Sequence, residues 1–134
     1  MDLGQALMVA GIGCRSGATA EQVESALVAA LAPVLSRGRA LSLIATPAAK
    51  GHEPGIVAAA AFRGIPLVLI SQGELEAANP RTLTHSGRSM AAMNVHSVAE
   101  AAALAGGGPT ARLLGPRIVI GPVTCALAEG AETS

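Results

Sequence analysis

Residues 8–23, MVAGIGCRSGATAEQV, pass in one step from an apolar run through a glycine-rich turn into a capped helix. This passage constrains the chain more than any other. Met8, Val9 and Ala10 read as strand, and Gly11, Gly13 and Gly17 flank Cys14, Arg15 and Ser16. Thr19 followed by Gln22 is a capping-box pair that starts a helix. A strand–turn–helix of this kind leaves backbone N–H groups at a helix N-terminus without helical partners, here beside the fixed charge of Arg15. The expectation is an anion site for a phosphate or a carboxylate.

The same alternation continues along the chain. The pattern predicts a strand over 7–12 and a helix over 20–31 with Val23, Leu27, Ala30 and Leu31 on its buried face. Pro33 lacks an N–H and should end that helix near Ala32. Gly38 marks a loop, and Leu41, Leu43 and Ile44 belong to a second strand. A charged loop is expected over 46–55. Pro54 then opens a helix to about Phe62, which Arg63 and Gly64 close. Pro66 precedes a third strand at 67–70, and Ser71 with Glu74 repeats the capping box before a short helix to Ala78. Asn79–Pro80 breaks it. Residues 80–94 read as irregular, with a turn of helix at 88–93. Ser97 and Glu100 form a further capping box ahead of a helix at 98–105 that the glycines at 106–108 terminate. The remainder reads as strand at 113–114 or 118–120, and then at 123–127.

Strands alternating with helices imply an α/β domain, three-layered α/β/α, around a mostly parallel but mixed sheet, because the last two strands are too closely connected to lie parallel. The 134 residues suit a single domain over the whole chain. Ligands in such folds sit at the carboxyl ends of the strands, where the 11–17 and 46–55 segments fall.

Composition excludes several classes. Formal net charge is zero and Phe62 is the one aromatic side chain, so there is neither a basic footprint nor a stacking platform for nucleic acid. Apolar runs are far short of a membrane span. The first residues, MDLGQALMVAG, carry an acid and no basic segment, so no signal peptide is expected. Cys14 and Cys125 are then expected reduced, in the cytoplasm.

The glycine turn lacks the third glycine and the acidic partner of a dinucleotide fingerprint, and there is no Walker lysine, so no cofactor is indicated. Cys14, beside Arg15 and a helix start, stands where a thiol pKa can fall; His52 is the candidate base that could reach it. Lys50, His52 and Glu53 crowd one loop, KGHEPG. Lys50 suits an anion anchor and Glu53 a general base, while the alternative is a solvated loop whose Glu53 favours the following helix dipole. His85 and His96 stand apart from other ligand types, so the sequence suggests surface or capping roles and no metal site.

The stretch GIGCRSGATAEQV resembles the opening of the family formed by CobE and the C-terminal domain of CbiG, proteins of cobalamin biosynthesis. Gly11, Ile12, Gly13, Cys14, Arg15 and Gly17 match its G-I-G-C-[RK]-x-G motif position by position. Lys50, Glu53 and Gly55 match a later K-x-x-E-x-G element, residues 97–104 an S-V-A-E-A-A-A-L element, and Val123, Thr124 and Ala126 a final strand. His52 stands where members often have Asp, and residues 115–122 replace a more lysine-rich approach to the last strand. The resemblance implies a role in making the corrin ring. In the two-domain CbiG proteins that role is hydrolytic opening of a precorrin lactone with release of acetaldehyde. A chain that looks like the C-terminal domain alone implies instead a protein that binds a precorrin or corrinoid intermediate, as accessory or carrier to other cobalamin-pathway enzymes.

The candidate ligand-binding residues are accordingly Gly11, Gly13, Cys14, Arg15, Ser16, Gly17, Lys50 and Glu53. If the chain is a precorrin hydrolase, Glu53 is the base and Lys50 or the 13–17 amides stabilise an oxyanion. A phosphate- or nucleotide-binding α/β domain is a third reading, resting on the turn alone.

Overall fold

A computed structural model describes residues 6–37, 40–85, 87, 90 and 95–131. The strands are β1 (Ala6–Cys14), β2 (Leu43–Pro47), β3 (Leu67–Ile70), β4 (Arg112–Leu113), β5 (Ile118–Ile120) and β6 (Val123–Ala131); the helices are α1 (Ala20–Leu31), α2 (Pro54–Arg63), α3 (Gln72–Ala78) and α4 (Val98–Gly107). They form one mixed sheet in the order β3-β2-β1-β6-β4, with β5 also paired to β6. β1, β2 and β3 run parallel. β6 lies antiparallel to β1 over nine residue pairs, and its outer edge is covered antiparallel by β5 and β4.

Strand periodicity sorts the core into two layers. On β1, Met8, Ala10 and Ile12 enter one cluster with Val23, Leu27 and Leu31 of α1 and Ile56 and Ala60 of α2. Val9 enters the other, with Leu75 of α3 and Ala101–Leu104 of α4. Successive side chains of a strand point to opposite faces, so a central strand roofed on both sides must be apolar throughout. That is why residues 8–13 are all buried. The α/β fold with helices on both faces matches the expectation.

Local rules account for most boundaries. Thr19 and Ser71 form complete capping boxes with Gln22 and Glu74. α2 has Pro54 in its first turn and Gly64 in the left-handed region at φ 68° after its last. α1 stops at Leu31, and the chain runs on as a 3₁₀ segment, Ala32–Arg37, through Pro33. The turn of helix expected at 88–93 falls mostly outside the described residues, and so does Gly38.

Three expectations are corrected. β1 continues to Cys14, because β6 pairs with it as far as Val123. Gly13 and Cys14 are therefore strand residues. β2 continues through Thr46 and Pro47, which pair with β3; Thr46 is buried, its hydroxyl donating to Ile12 O at 2.8 Å. On α1 it is Ala26, with Val23, Leu27 and Leu31, that is fully buried, and Ala30 is only partly so. No helix of the described residues is long and apolar enough to cross a membrane.

Candidate functional site

β1 and β2 end side by side, and the loops that follow them are tied together. The Lys50 ammonium lies 3.3 Å from the Ser16 hydroxyl, to which it donates. A carboxylate oxygen of Glu53 accepts from the Gly17 amide at 3.0 Å. Gly55 shows how closely the loops approach: a Cβ there would collide with Ala18 O and lie 2.8 Å from the Thr19 carbonyl carbon. The first turn of α2 thus rests directly on the backbone of the 15–19 loop. The structure therefore brings Cys14, Ser16, Gly17, Lys50 and Glu53 into one cluster, with Arg15 exposed on its rim.

The amides do not form the open cradle expected from the sequence. Arg15 N–H donates to Pro122 O at 3.0 Å and Ala18 N–H to Arg15 O at 3.3 Å. Gly17 is bonded to Glu53 and Thr19 to the Gln22 side chain. The loop is short, so its donors meet the β6 entry and its own neighbours before solvent; the anion seated on Gly17 is the chain's own carboxylate. Gly17 alone in this loop needs glycine dihedrals, at φ 87°.

Gly11 and Gly13 serve packing. A Cβ on Gly11 would strike Ala99 O and stand 2.5 Å from Ala103 N, and one on Gly13 would stand 2.9 Å from the Thr124 hydroxyl oxygen and 3.5 Å from Val98. Gly11 lets α4 lie close on β1, Gly13 makes room for the Thr124 hydroxyl of β6, and neither belongs to the turn.

Cys14 is half-buried, and its thiol is pushed above the ordinary range by burial and by the Glu53 charge, with Lys50 opposing. The expected lowering of its pKa is corrected: desolvation disfavours the thiolate more than one nearby cation favours it. His52 is exposed and makes no hydrogen bond to Cys14 among the described residues. What remains chemically available is Lys50 and the Glu53 carboxylate tied to the 16–17 backbone and side chain, with the exposed Arg15 adjacent in the chain, at the carboxyl ends of β1 and β2. Such a patch selects anionic groups by charge, with the planar guanidinium suited to a carboxylate.

A hollow of about 140 Å³ lies elsewhere. It is mainly apolar and lies between Ala30 at the end of α1, Pro33 and Val34 just after it, and Leu114, Ile118 of β5 and Leu127 of β6. The cluster adjoins the other end of α1, about 18 Å away for a twelve-residue helix.

One residue with a central role was misread from the sequence. Ser97 caps α4 by accepting from Glu100 N at 3.3 Å, but the Glu100 side chain does not complete the box. Fully buried, its carboxylate instead accepts from Leu83 N, Thr84 N, the Thr84 hydroxyl and Arg117 N. Burial raises its pKa, but the bonds from Thr84, Arg117 and Leu83 together outweigh that and hold it below the usual carboxylate range. Its spacing from Ser97 looked like a cap; no local pattern revealed its two distant loops.

Comparison with known proteins places this arrangement. The family described as Cobalamin synthesis G C-terminus matches residues 8–128. The chain belongs to that family. It is 36% identical to protein CobE of Sinorhizobium sp. over 121 residues, 90% of this chain and 79% of that protein. The crystal structure of CobE, a protein from the cobalamin (vitamin B12) biosynthetic pathway, superposes with a TM-score of 0.86 at 33% identity, covering 99% of this chain and 98% of that one. The cobalamin biosynthesis protein chiG from Agrobacterium tumefaciens gives 0.72 at 36% identity, over 94% and 100%. A cobalamin biosynthesis protein G homologue from Sulfolobus solfataricus, 23% identical, shares the fold over 92% of this chain and 36% of its own length, with a TM-score of 0.70.

Proposed function

We propose that this protein binds a precorrin or corrinoid intermediate through its peripheral carboxylates, as an accessory or carrier protein serving other enzymes of the cobalamin pathway. Membership of the cobalamin-synthesis family and its likeness to CobE along nearly the full length of both chains support the pathway. The observation that carries the binding reading is the joined 14–17 and 50–53 loops, which present Arg15 and Lys50 at the carboxyl edge of the sheet. Precorrins carry many acetate and propionate arms, and charge-assisted bonds to such arms orient a ligand without stacking. With Phe62 as its one aromatic residue, the chain meets a macrocycle face with aliphatic side chains.

Binding is favoured over hydrolysis because the Glu53 carboxylate is engaged by Gly17 N–H and Cys14 is not activated. A phosphate or nucleotide is favoured less, since the Arg15, Gly17, Ala18 and Thr19 amides of the loop are already bonded. The test is an absorbance titration of the protein with hydrogenobyrinic acid. A saturable spectral shift at micromolar protein is expected, weakened at least tenfold in the Arg15→Ala/Lys50→Ala double variant; no shift, or one the variant retains, removes the proposal. Stabilisation of the protein in a melting screen by ATP, NAD or a flavin, and not by the corrinoid, selects the nucleotide reading. Lactone turnover that disappears in Glu53→Gln while binding persists selects the hydrolase.

A further inference from the structure

The imidazoles of His85 and His96, on the two sides of the 86–95 segment, pack edge to face with centroids 4.4 Å apart and planes at 61°. His96 Nδ1 is buried and has no hydrogen-bond partner among the described residues. A buried ring nitrogen without a partner is costly, and edge-to-face contact does not engage an in-plane lone pair. Both histidines are also held in place from behind. The residue before His85 is Thr84, whose amide and hydroxyl are both fixed by the buried Glu100 carboxylate. The backbone N–H of His96 donates to Asn79 Oδ1 at 2.8 Å, and Ser97 beyond it caps α4.

We propose that His85 and His96 form a two-imidazole binding site for a divalent transition-metal ion of the Ni²⁺, Co²⁺, Cu²⁺ or Zn²⁺ type. Neutral imidazole nitrogen suits these ions, whereas Ca²⁺ and Mg²⁺ require oxygen ligands that the pair does not offer. Metal–nitrogen bonds of about 2.0–2.1 Å let one ion bridge two nitrogens up to about 4 Å apart, within reach of rings packed this closely. Coordination gives His96 Nδ1 the partner it lacks among the described residues. No group of three or more His, Cys, Asp or Glu side chains suited to a metal occurs among the described residues. The ion is therefore held by two protein donors, exchangeably, with open coordination positions filled by water. The sequence set both histidines apart from other ligand types; that their two rings meet is visible only in three dimensions.

The experiment is calorimetric titration of the untagged protein with NiCl₂ at neutral pH, alongside His85→Ala, His96→Gln and, as control, His52→Ala. One saturable event in the micromolar range is expected in the parent and in His52→Ala, weakened at least tenfold in His85→Ala and His96→Gln. Absence of saturable binding in the parent, or undiminished affinity in His85→Ala, overturns the site. The exposed position of His85 keeps that variant folded, and its far-ultraviolet circular dichroism checks this. Should His96→Gln not fold, His85→Ala decides the matter.

Discussion

Replacing Gly11 by alanine tests the claim that this glycine exists for helix packing. The added Cβ would meet Ala99 O and approach Ala103 N to 2.5 Å, both backbone atoms of α4 that no rotamer change can move. Ordinary contact begins near 3.4 Å, so helix and strand must separate by about 0.9 Å to clear Ala103 N and by more to clear Ala99 O. A gap of that size forfeits about a quarter to a half of the dispersion energy across the interface. The residues on that interface, including Ala99, Ala102 and Ala103, are small and fully buried, so no long side chain can fill the space. Overpacking typically costs about 1–3 kcal/mol, and a backbone collision belongs at the upper end. Reduced unfolded-state entropy returns about 0.4–1 kcal/mol. The net expectation is a loss of about 2–3 kcal/mol, or a fall in Tm of about 8–12 °C for a domain of this size. Urea unfolding followed by far-ultraviolet circular dichroism measures it, since a chain without Trp or Tyr has almost no intrinsic fluorescence. Gly73→Ala is the control: a Cβ there meets nothing within 4 Å, on a short exposed helix, and the change should be neutral or stabilising by up to about 1 kcal/mol. A Gly11→Ala protein within about 0.5 kcal/mol of the parent refutes the packing argument.

Glu100→Gln should destabilise by about 3 kcal/mol, because an amide N–H₂ cannot accept from the four donors that converge on this buried group. The native carboxyl titrates below its ordinary value of 4.5, so its contribution is complete above that pH and is lost as pH falls through the lower native value. Parent and variant melting temperatures should stay apart at neutral pH and converge in acid; a constant gap down to strong acid contradicts the assignment. Cys125 is fully buried and its thiol is pushed up to about 12 by burial, with Arg63 opposing. Disulfide-exchange reagents should leave it unmodified in the native protein at pH 8 and react with it only in denaturant, and rapid native labelling of Cys125 would contradict its placement.

How much of this was legible in the chain follows from how local each signal is. The Thr19 and Ser71 boxes, Pro54 and Gly64 act within one helical turn, so sequence placed those boundaries. Ser97 and Glu100 show where such reasoning fails. The spacing is the same, but the glutamate is captured by Leu83, Thr84 and Arg117, and one good local option lost to four partners in a buried setting. Gly11 and Gly13 were visible as glycines, yet whether a glycine serves a turn or a helix crossing depends on what lies over it.

At the site, sequence supplied the residue types and the two loops, and the β1–β2 parallel pairing set them side by side. That Lys50 would reach Ser16, that Glu53 would occupy the Gly17 amide, and that His85 would meet His96 were decided only in three dimensions. Apolar periodicity and caps act between residues a few positions apart and are written along the chain. Hydrogen-bond partners drawn from distant loops are chosen by competition among all donors the fold brings within reach, and that competition has no local signature.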